Sequence, residues 1–284
     1  MAQGRRKLQL SNGYLFAFDQ LSRVLHFLAA HPSVKRIYRE AIQESTGLSN
    51  RQIESVVSIG CALGLIKPGM QTLTRTGELI AAHDIFLERI GTLQWCHYRG
   101  AGSPKNLVWY EIFNSILPAE QAISESGWLA NLRNTLSGQY TDRTIGKHLH
   151  EEVRFIVDAY LNRNLKRLEI LRQHSDGRLY RTRHLRVAPL ILSAMIYDYA
   201  ATRGESLLQV REIAEAEGSP SLLFGFDEST FRQAIEPLHQ NGWVRYESTH
   251  HLDQVRLLDG LSAFTFLKWY YEGASPEPRQ KEVG

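Results

Sequence analysis

The chain has 284 residues, of which 43% are hydrophobic and 22% charged, as is ordinary for a soluble globular protein of one large or two smaller domains. Its two cysteines give no disulfide framework or cysteine-rich zinc site, and the formal net charge of +3 neither requires nor excludes a nucleic-acid partner. The N-terminus lacks the apolar stretch of a signal peptide, and the apolar run from Val187 is too short to span a bilayer. We therefore expect a cytoplasmic protein without membrane contact.

The first elements in chain order have the order of a winged helix. Helical spacing predicts helices over 14–28 and 34–44. Ser49 and Gln52 then match the S-x-x-E/Q capping box, which predicts the start of a third helix. The following string, LIKPGMQTLTRTGELI, predicts two short strands around a Pro-Gly turn that return into a helix. We expect residues 1–80 to form a winged-helix DNA-binding unit with this hairpin as its wing.

The rest of the sequence predicts a helical middle region and a second winged-helix-like unit. Residues 81–174 have helical spacing, and Ser-Asp-Gly at 175–177 suggests a boundary. Residues 175–273 repeat the order of helices followed by a hairpin, and the polar, proline-containing tail 274–284 is expected to be disordered. The predicted fold is mainly α with small β-hairpins, in which a helical middle region joins two winged-helix-like units.

Basic residues cluster in two parts of the chain. Those within residues 1–80 are Lys35, Arg36, Arg39, Arg51 and Arg75, the last of which we assign to the wing. Those near residue 170 include Lys166, Arg167, Arg178, Arg181 and Arg183. Such clusters contact DNA phosphates and position a protein without reading sequence. The alternative is a solvated helical face, which is the usual role of a charge run.

The start of the predicted third helix carries the candidates for contact with bases. Ser49, Asn50 and Arg51 lie at its exposed tip, and Asn and Arg side chains hydrogen-bond to base edges in the major groove. The alternative is that Asn50 and Arg51 only solvate a helix start. The second predicted recognition helix, DESTFRQAIEPL, begins with acidic residues and is expected to contact protein or the rest of the chain.

The middle region holds a group of polar and aromatic residues. Asp84 and Glu88 are four residues apart, so a helix would place both carboxylates on one face. His97 and Glu111 follow in a stretch rich in tryptophan, tyrosine and phenylalanine. The alternative is that the carboxylates are solvated and that the aromatic residues and His97 pack in a core.

The same region resembles a known family. LTRTGELIAAHDIFLERIGTLQWCHY followed by LVWYEIFN is similar to the core signature of a bacterial domain-of-unknown-function family found in phage-defence islands. That family includes the B component (SspB) of the Ssp DNA-phosphorothioation system. Its pattern is D-x-x-L-E, then T-L-W and a histidine, then an aromatic segment ending in F-N. The matching residues here are Asp84, Leu87, Glu88, Thr92, Leu93, His97, Trp109, Phe113 and Asn114.

The resemblance implies a component of a modification-based anti-phage defence system that acts on double-stranded DNA. In the Ssp branch it implies a nickase that cuts one strand so that partner components can insert sulfur. Nicking needs stabilisation of charge at phosphorus and protonation of the leaving oxygen. Asp84 and Glu88 would then hold Mg²⁺ or Mn²⁺, assisted by His97 or Glu111.

The alternative function is a non-catalytic winged-helix transcription regulator or adaptor that uses the same folds. The sequence leaves open the DNA motif, the metal, the dependence on partner subunits and the oligomeric state, a homodimer included.

Overall fold

The computed structural model describes residues 7–15, 18–32, 38–69, 71–119, 122–184, 186–249 and 252–273. The described residues form two compact units, one within 1–183 and the other within 184–284. As predicted, the chain is mainly helical with two small antiparallel sheets. The expected finer division into four regions stays a prediction, and Lys35, Arg36 and the tail 274–284 lie outside the described residues. None of the helices in the described ranges is both long and apolar enough to cross a membrane.

The first unit is built from helices and one hairpin. Its helices are α1 (Phe18–Ala29), α2 (Arg39–Thr46), α3 (Asn50–Ala62), α4 (Arg75–His83), α5 (Ile90–Gly102), α6 (Leu107–Glu111), α7 (Leu117–Ala119), α8 (Glu125–Leu136) and α9 (Asp142–Leu161). A π-helical turn, Ile112–Ile116, joins α6 to α7, and a 3-10 helix, Asn164–Leu168, follows α9. Strands β1 (Leu171–Gln173) and β2 (Leu179–Arg181) pair antiparallel, with Arg172 opposite Tyr180. α1 packs on α2, α3 and α4, whereas the 3-10 helix packs on α5 and α9.

The start of α3 is the one that the sequence predicts. The Ser49 hydroxyl accepts a hydrogen bond from the backbone N–H of Gln52 at 3.4 Å, and the Gln52 side chain accepts one from the Ser49 N–H at 2.9 Å. Both halves of the capping box are therefore present. The apolar face of α3 is buried against α1 and α2, while Asn50 and Arg51 are exposed at its first turn.

The first predicted hairpin is smaller than expected. Ile66 and Leu73 form a single antiparallel bridge rather than two paired strands. α4 begins directly afterwards, because the Thr74 hydroxyl caps it by accepting a hydrogen bond from the Gly77 N–H at 2.9 Å. Our assignment of Arg75 to the wing is therefore wrong, since Arg75 is the first residue of α4.

The Ser-Asp-Gly segment at 175–177 lies in the turn between β1 and β2, inside the first unit. The rings of His174 and Tyr180 stack across this hairpin with 4.2 Å between their centroids. Asp176 accepts a hydrogen bond from the backbone N–H of Arg178 at 3.0 Å, and this contact is the largest cause of the lowered pKa of its carboxyl. The turn residues therefore close a hairpin.

The segment before α1 is tied to two helices by buried polar contacts. Ser11 donates from its backbone N–H and its hydroxyl to Oε1 of Glu152 on α9, at 2.9 and 2.7 Å. Its carbonyl accepts a hydrogen bond from the hydroxyl of Ser55 on α3 at 2.7 Å. Burial raises the pKa of the Glu152 carboxyl, and the bonds from Ser11 oppose that shift. Ser11 therefore links the α3 region to α9.

The second unit packs helices around a three-stranded sheet. Its helices are α10 (Pro189–Arg203), α11 (Val210–Glu215), α12 (Pro220–Phe224), α13 (Glu228–Gln240) and α14 (Ala263–Glu272). Its strands are β3 (Leu207–Gln209), β4 (Val244–Ser248) and β5 (Asp253–Leu257), and β5 lies between the other two, antiparallel to both. Asp227 caps α13, as predicted, by accepting a hydrogen bond from the Thr230 N–H at 2.8 Å. The predicted second hairpin is β4–β5.

Two helical glycines give a matched test of this packing. A Cβ at Gly77 would lie 2.0 Å from the carbonyl oxygen of Leu65, whereas a Cβ at Gly146 on α9 would meet nothing within 4 Å. We expect Gly77→Ala to lower the free energy of unfolding by about 1–3 kcal/mol, because backbone must move to admit the methyl group. Gly146→Ala should raise it by up to about 1 kcal/mol through helix propensity. Chemical denaturation measures both values, and equal effects would contradict the close approach of α4 to Leu65.

Candidate functional site

Asp84 lies in a loop between two helices and not on a helix. α4 ends at His83, and α5 begins at Ile90. Oδ1 of Asp84 accepts a hydrogen bond from the Glu88 N–H at 2.9 Å. Oδ2 accepts from the Arg89 N–H at 2.9 Å and from the Thr92 hydroxyl at 2.6 Å. The carboxylate thus binds two backbone donors of the turn that leads into α5 and the hydroxyl of Thr92 in the first turn of that helix, whose N-cap is Arg89.

The prediction that Asp84 and Glu88 share one helical face is therefore wrong. The chain between them turns through Leu87, which has a positive φ of 57° and a fully buried side chain. The Asp84 side chain is buried, whereas that of Glu88 is exposed to solvent. The Asp84 carboxylate accepts hydrogen bonds from the N–H groups of Glu88 and Arg89, four and five residues ahead, and such bonds compete with those of a helical backbone. The spacing of four residues between Asp84 and Glu88 therefore does not give a helix.

His97 lies in the core of the first unit. Its ring is fully buried, and Nδ1 is hydrogen-bonded to the hydroxyl of Tyr160 on α9. Trp109 Nε1 donates to the same hydroxyl at 3.0 Å, and the ring of Phe113 meets the His97 ring edge-on with 4.9 Å between centroids. Burial raises the pKa of Tyr160 well above its usual value, so the phenol stays protonated. These contacts join α5, α6, the π-helical turn and α9.

Sequence reasoning did not single out Tyr160. It lies 63 residues from His97, at a distance along the chain where no local spacing signals a contact. Its burial among aromatic rings is decided by the packing of α9 against α6.

The last part of the family signature also serves packing. Asn114 lies in the π-helical turn and donates from Nδ2 to the carbonyls of Ala101 and Tyr110, at 3.0 and 2.9 Å. The first of these acceptors belongs to α5, so the amide ties the turn to the end of that helix. Glu111 is buried beside this turn, and its Oε2 accepts a hydrogen bond from the Ser115 hydroxyl at 3.1 Å.

The four candidate catalytic residues do not form a metal site in the structure. Across the part of the chain that the structure describes, no three His, Cys, Asp or Glu side chains are gathered where they could hold a metal ion. Both oxygens of Asp84 are already occupied by donors of the chain itself. The expected site for Mg²⁺ or Mn²⁺ built from Asp84, Glu88, His97 and Glu111 therefore does not fit these residues as folded.

The basic residues of the first cluster, which lies within residues 1–80, differ in their surroundings. Arg39, at the start of α2, is paired with Glu54 of α3, which offsets its charge. Ser49, Asn50 and Arg51 form the exposed tip of α3, and Arg75 is exposed at the start of α4. Arg39, Arg51 and Arg75 are thus exposed at the starts of three helices, and the charge of Arg39 is offset by Glu54.

The second basic cluster is partly neutralised. Arg163, Arg172 and Arg178 pair with the neighbouring carboxylates Asp158, Glu169 and Asp176, respectively, at 2.8 to 3.0 Å. Such exposed pairs contribute little to stability but lower the local positive potential.

The remaining cations of this cluster lie on two elements. Lys166 and Arg167 are exposed on the 3-10 helix, and Arg167 donates to the backbone carbonyl of Glu88. Burial lowers the pKa of the half-buried Arg181, and the nearby charge of Arg183 adds to this effect. Because α3 packs on α1 and α2 and the 3-10 helix on α5 and α9, the two clusters are held by different contacts. One continuous basic surface stays a prediction.

The first turn of α13 is closed by ion pairs. Arg232 binds Glu228 at 2.6 Å and Asp253 of β5 at 2.6 Å. The Tyr246 hydroxyl of β4 donates to the second oxygen of Asp253 at 2.8 Å. The polar side chains at the start of this helix are therefore engaged with the sheet of their own unit.

Comparison with known proteins places the chain in a family. The profile of the family described as Protein of unknown function (DUF4007) matches residues 61–271, so the chain belongs to this family. Two solved structures, a crystal structure of SspB and a magnesium ion-bound crystal structure of SspB, share the fold. Each has a TM-score of 0.74 and 14% identity over 95% of this chain and 89% of that chain. The predicted resemblance is confirmed. No curated protein sequence matches the chain.

Asp84 and Glu88 give a matched pair of substitutions for testing the hydrogen bonds of this loop. Asp84→Ala should lower the free energy of unfolding by about 1–3 kcal/mol, because the N–H groups of Glu88 and Arg89 and the Thr92 hydroxyl lose their acceptor. Glu88→Ala should change it by less than about 0.5 kcal/mol, because its side chain is exposed. Urea denaturation of the two variants measures this contrast. Equal stability of both variants would contradict a structural role of the Asp84 carboxylate.

Proposed function

We propose that the protein is a double-stranded DNA-binding component of an Ssp-type DNA-phosphorothioation system for anti-phage defence, acting with the other components of that system. The observation that carries the proposal is the fold shared with SspB over nearly the whole chain, together with a family match that includes the signature region. Fold alone does not determine function, so the proposal needs support from the surface.

The arrangement of the first unit supports DNA binding. α1, α2 and α3 are followed by a short bridged turn, which is the order of a winged helix with a reduced wing. The second unit has helices followed by the β4–β5 hairpin and supports a second winged-helix-like unit. In such units the start of the helix after the turn enters the major groove. Asn50 and Arg51 occupy that position in the first unit, and their side chains are exposed.

The charges of the second unit support a different role for it. Arg232 at the start of α13 is held by Glu228 and Asp253, so this surface presents carboxylates as well as a guanidinium. Carboxylates repel DNA phosphates. We therefore assign phosphate contacts to the first unit, through Arg39, Arg51 and Arg75 and through Lys166, Arg167, Arg178, Arg181 and Arg183.

Charge reversal tests this assignment. Arg51→Glu combined with Arg75→Glu should weaken binding to a DNA duplex by about tenfold or more and make the dependence of affinity on salt less steep, because phosphate contacts are lost. Gel-shift titrations at two or more salt concentrations measure both effects.

Arg133→Glu combined with Arg143→Glu is the matched control. Both arginines are exposed in the same unit, on α8 and α9, so the net charge changes equally without altering α3 or α4. If the Arg51/Arg75 variant bound the duplex as tightly as this control, α3 would not be part of the DNA-binding surface.

DNA nicking is the second candidate function, favoured by the magnesium ion bound to SspB in a structure of the same fold. Asp84, Glu88, His97 and Glu111 remain the residues proposed for it. Because they do not fit a metal site as folded, no step through a metal ion follows from their geometry.

Supercoiled plasmid distinguishes nicking from simple binding. If the protein nicks DNA, open-circle product should appear with Mg²⁺ or Mn²⁺ and be absent with a chelator. Glu88→Gln is the informative variant, because the Glu88 side chain is exposed and the substitution keeps the backbone N–H that Asp84 binds. Loss of product with unchanged binding would support nicking that uses Glu88. Binding by the wild type without product, while a positive control cuts, would support the non-catalytic regulator or adaptor.

A further inference from the structure

The loop between α4 and α5 exposes a large aromatic side chain. Phe86 lies in its middle and is 66% exposed, although burial of its apolar ring would be favourable. Leu87, the next residue, is fully buried. The loop therefore places one apolar side chain in the core and its neighbour in solvent.

Several contacts fix the backbone that carries Phe86. Asp84 accepts hydrogen bonds from the N–H groups of Glu88 and Arg89, and its own carbonyl accepts one from the Leu87 N–H at 2.9 Å. Arg167 donates to the carbonyl of Glu88 from the other side of the loop. The exposed ring is thus presented on a closed turn whose ends are held by α5 and by the 3-10 helix. A ligand that contacts it meets little additional cost of ordering the backbone.

Cationic side chains lie on the loop that carries Phe86 and on the 3-10 helix that contacts this loop. Arg89 belongs to the same loop, and Lys166 and Arg167 lie on the 3-10 helix that contacts it. All three are exposed, and the exposed carboxylate of the loop is Glu88. The N–H groups of Glu88 and Arg89 are already bonded to Asp84, so an anion at this loop would be bound by these cationic side chains rather than by those two N–H groups.

We propose that Phe86 is a stacking platform for an unpaired base of DNA, with Lys166 and Arg167 on the adjoining phosphates. This inference rests on the proposed function and deepens it. An aromatic ring among cations matches the way in which proteins bind single-stranded nucleic acid, where each base offers a π-face and the backbone a negative charge. A phenyl ring carries no hydrogen-bonding group, so it selects an unstacked base and reads no particular one. Bases in an intact duplex are stacked on both faces, which makes an unpaired base the preferred ligand.

The test compares an intact duplex with the same duplex carrying one unpaired, bulged base. Fluorescence anisotropy with the full chain should show tighter binding of the bulged duplex by the wild type. Phe86→Ala should lose about tenfold in affinity for the bulged duplex and little for the intact one, because one base–aromatic stack is removed. Phe86→Tyr should keep the preference, and Phe86→Leu, which is apolar but has no ring, should lose it.

Leu252→Ala provides the control for removing an exposed apolar side chain, since Leu252 is 43% exposed in the second unit. Because Phe86 is exposed, its variants should unfold at the wild-type denaturant concentration, which urea denaturation checks.

The outcomes separate this inference from the proposed function. Equal binding of both duplexes by the wild type, or an unchanged preference in Phe86→Ala or Phe86→Leu, would overturn the stacking platform while leaving duplex binding through α3 in place. Failure of the wild type to bind either duplex would overturn both.

Discussion

The interaction on which the candidate site depends is the set of hydrogen bonds that the Asp84 carboxylate makes in the loop between α4 and α5. One side chain accepts two backbone N–H bonds from the turn before α5 and one hydroxyl bond from Thr92. The same loop buries Leu87 and leaves Phe86 exposed. A residue proposed as a metal ligand thus uses both of its carboxylate oxygens to hold this loop.

Apart from the exposed Glu88, the residues of the family signature are buried. Thr92 bonds to Asp84, His97 and Trp109 meet at the Tyr160 hydroxyl, and Asn114 ties the π-helical turn to α5. Such buried polar contacts specify one packing of helices, because each group would lose its partner in another arrangement. SspB shares this fold at 14% identity, and a shared fold does not by itself transfer a reaction.

The side chains that we propose for contact with DNA lie instead on the surface of the first unit. Arg51 and Arg75 are exposed at helix starts, and Lys166 and Arg167 are exposed beside the loop that carries Phe86. Several neighbouring arginines are paired with carboxylates, so the basic surface is weaker than the count of arginines implies. The proposed binding of DNA therefore depends on a few positions rather than on the net charge of the protein, which is only +3.

The sequence by itself determined what short-range patterns encode. The Ser49–Gln52 capping box, the Asp227 cap and the β4–β5 hairpin all depend on residues close along the chain, and the structure contains each of them. The basic segments and the family could also be recognised, because both are properties of residue type and order.

Only the tertiary structure decided which of these residues act together. A spacing of four is compatible with a helix and with a capped loop, and at Asp84 the choice was made by hydrogen bonds to the start of α5 and by the burial of Leu87. Likewise, Tyr160 reaches His97 across 63 residues, a contact that no local pattern encodes. Burial and hydrogen-bond partners are set by packing between distant segments, and for that reason the sequence could not show that Asp84, His97 and Glu111 are buried while Glu88 is exposed.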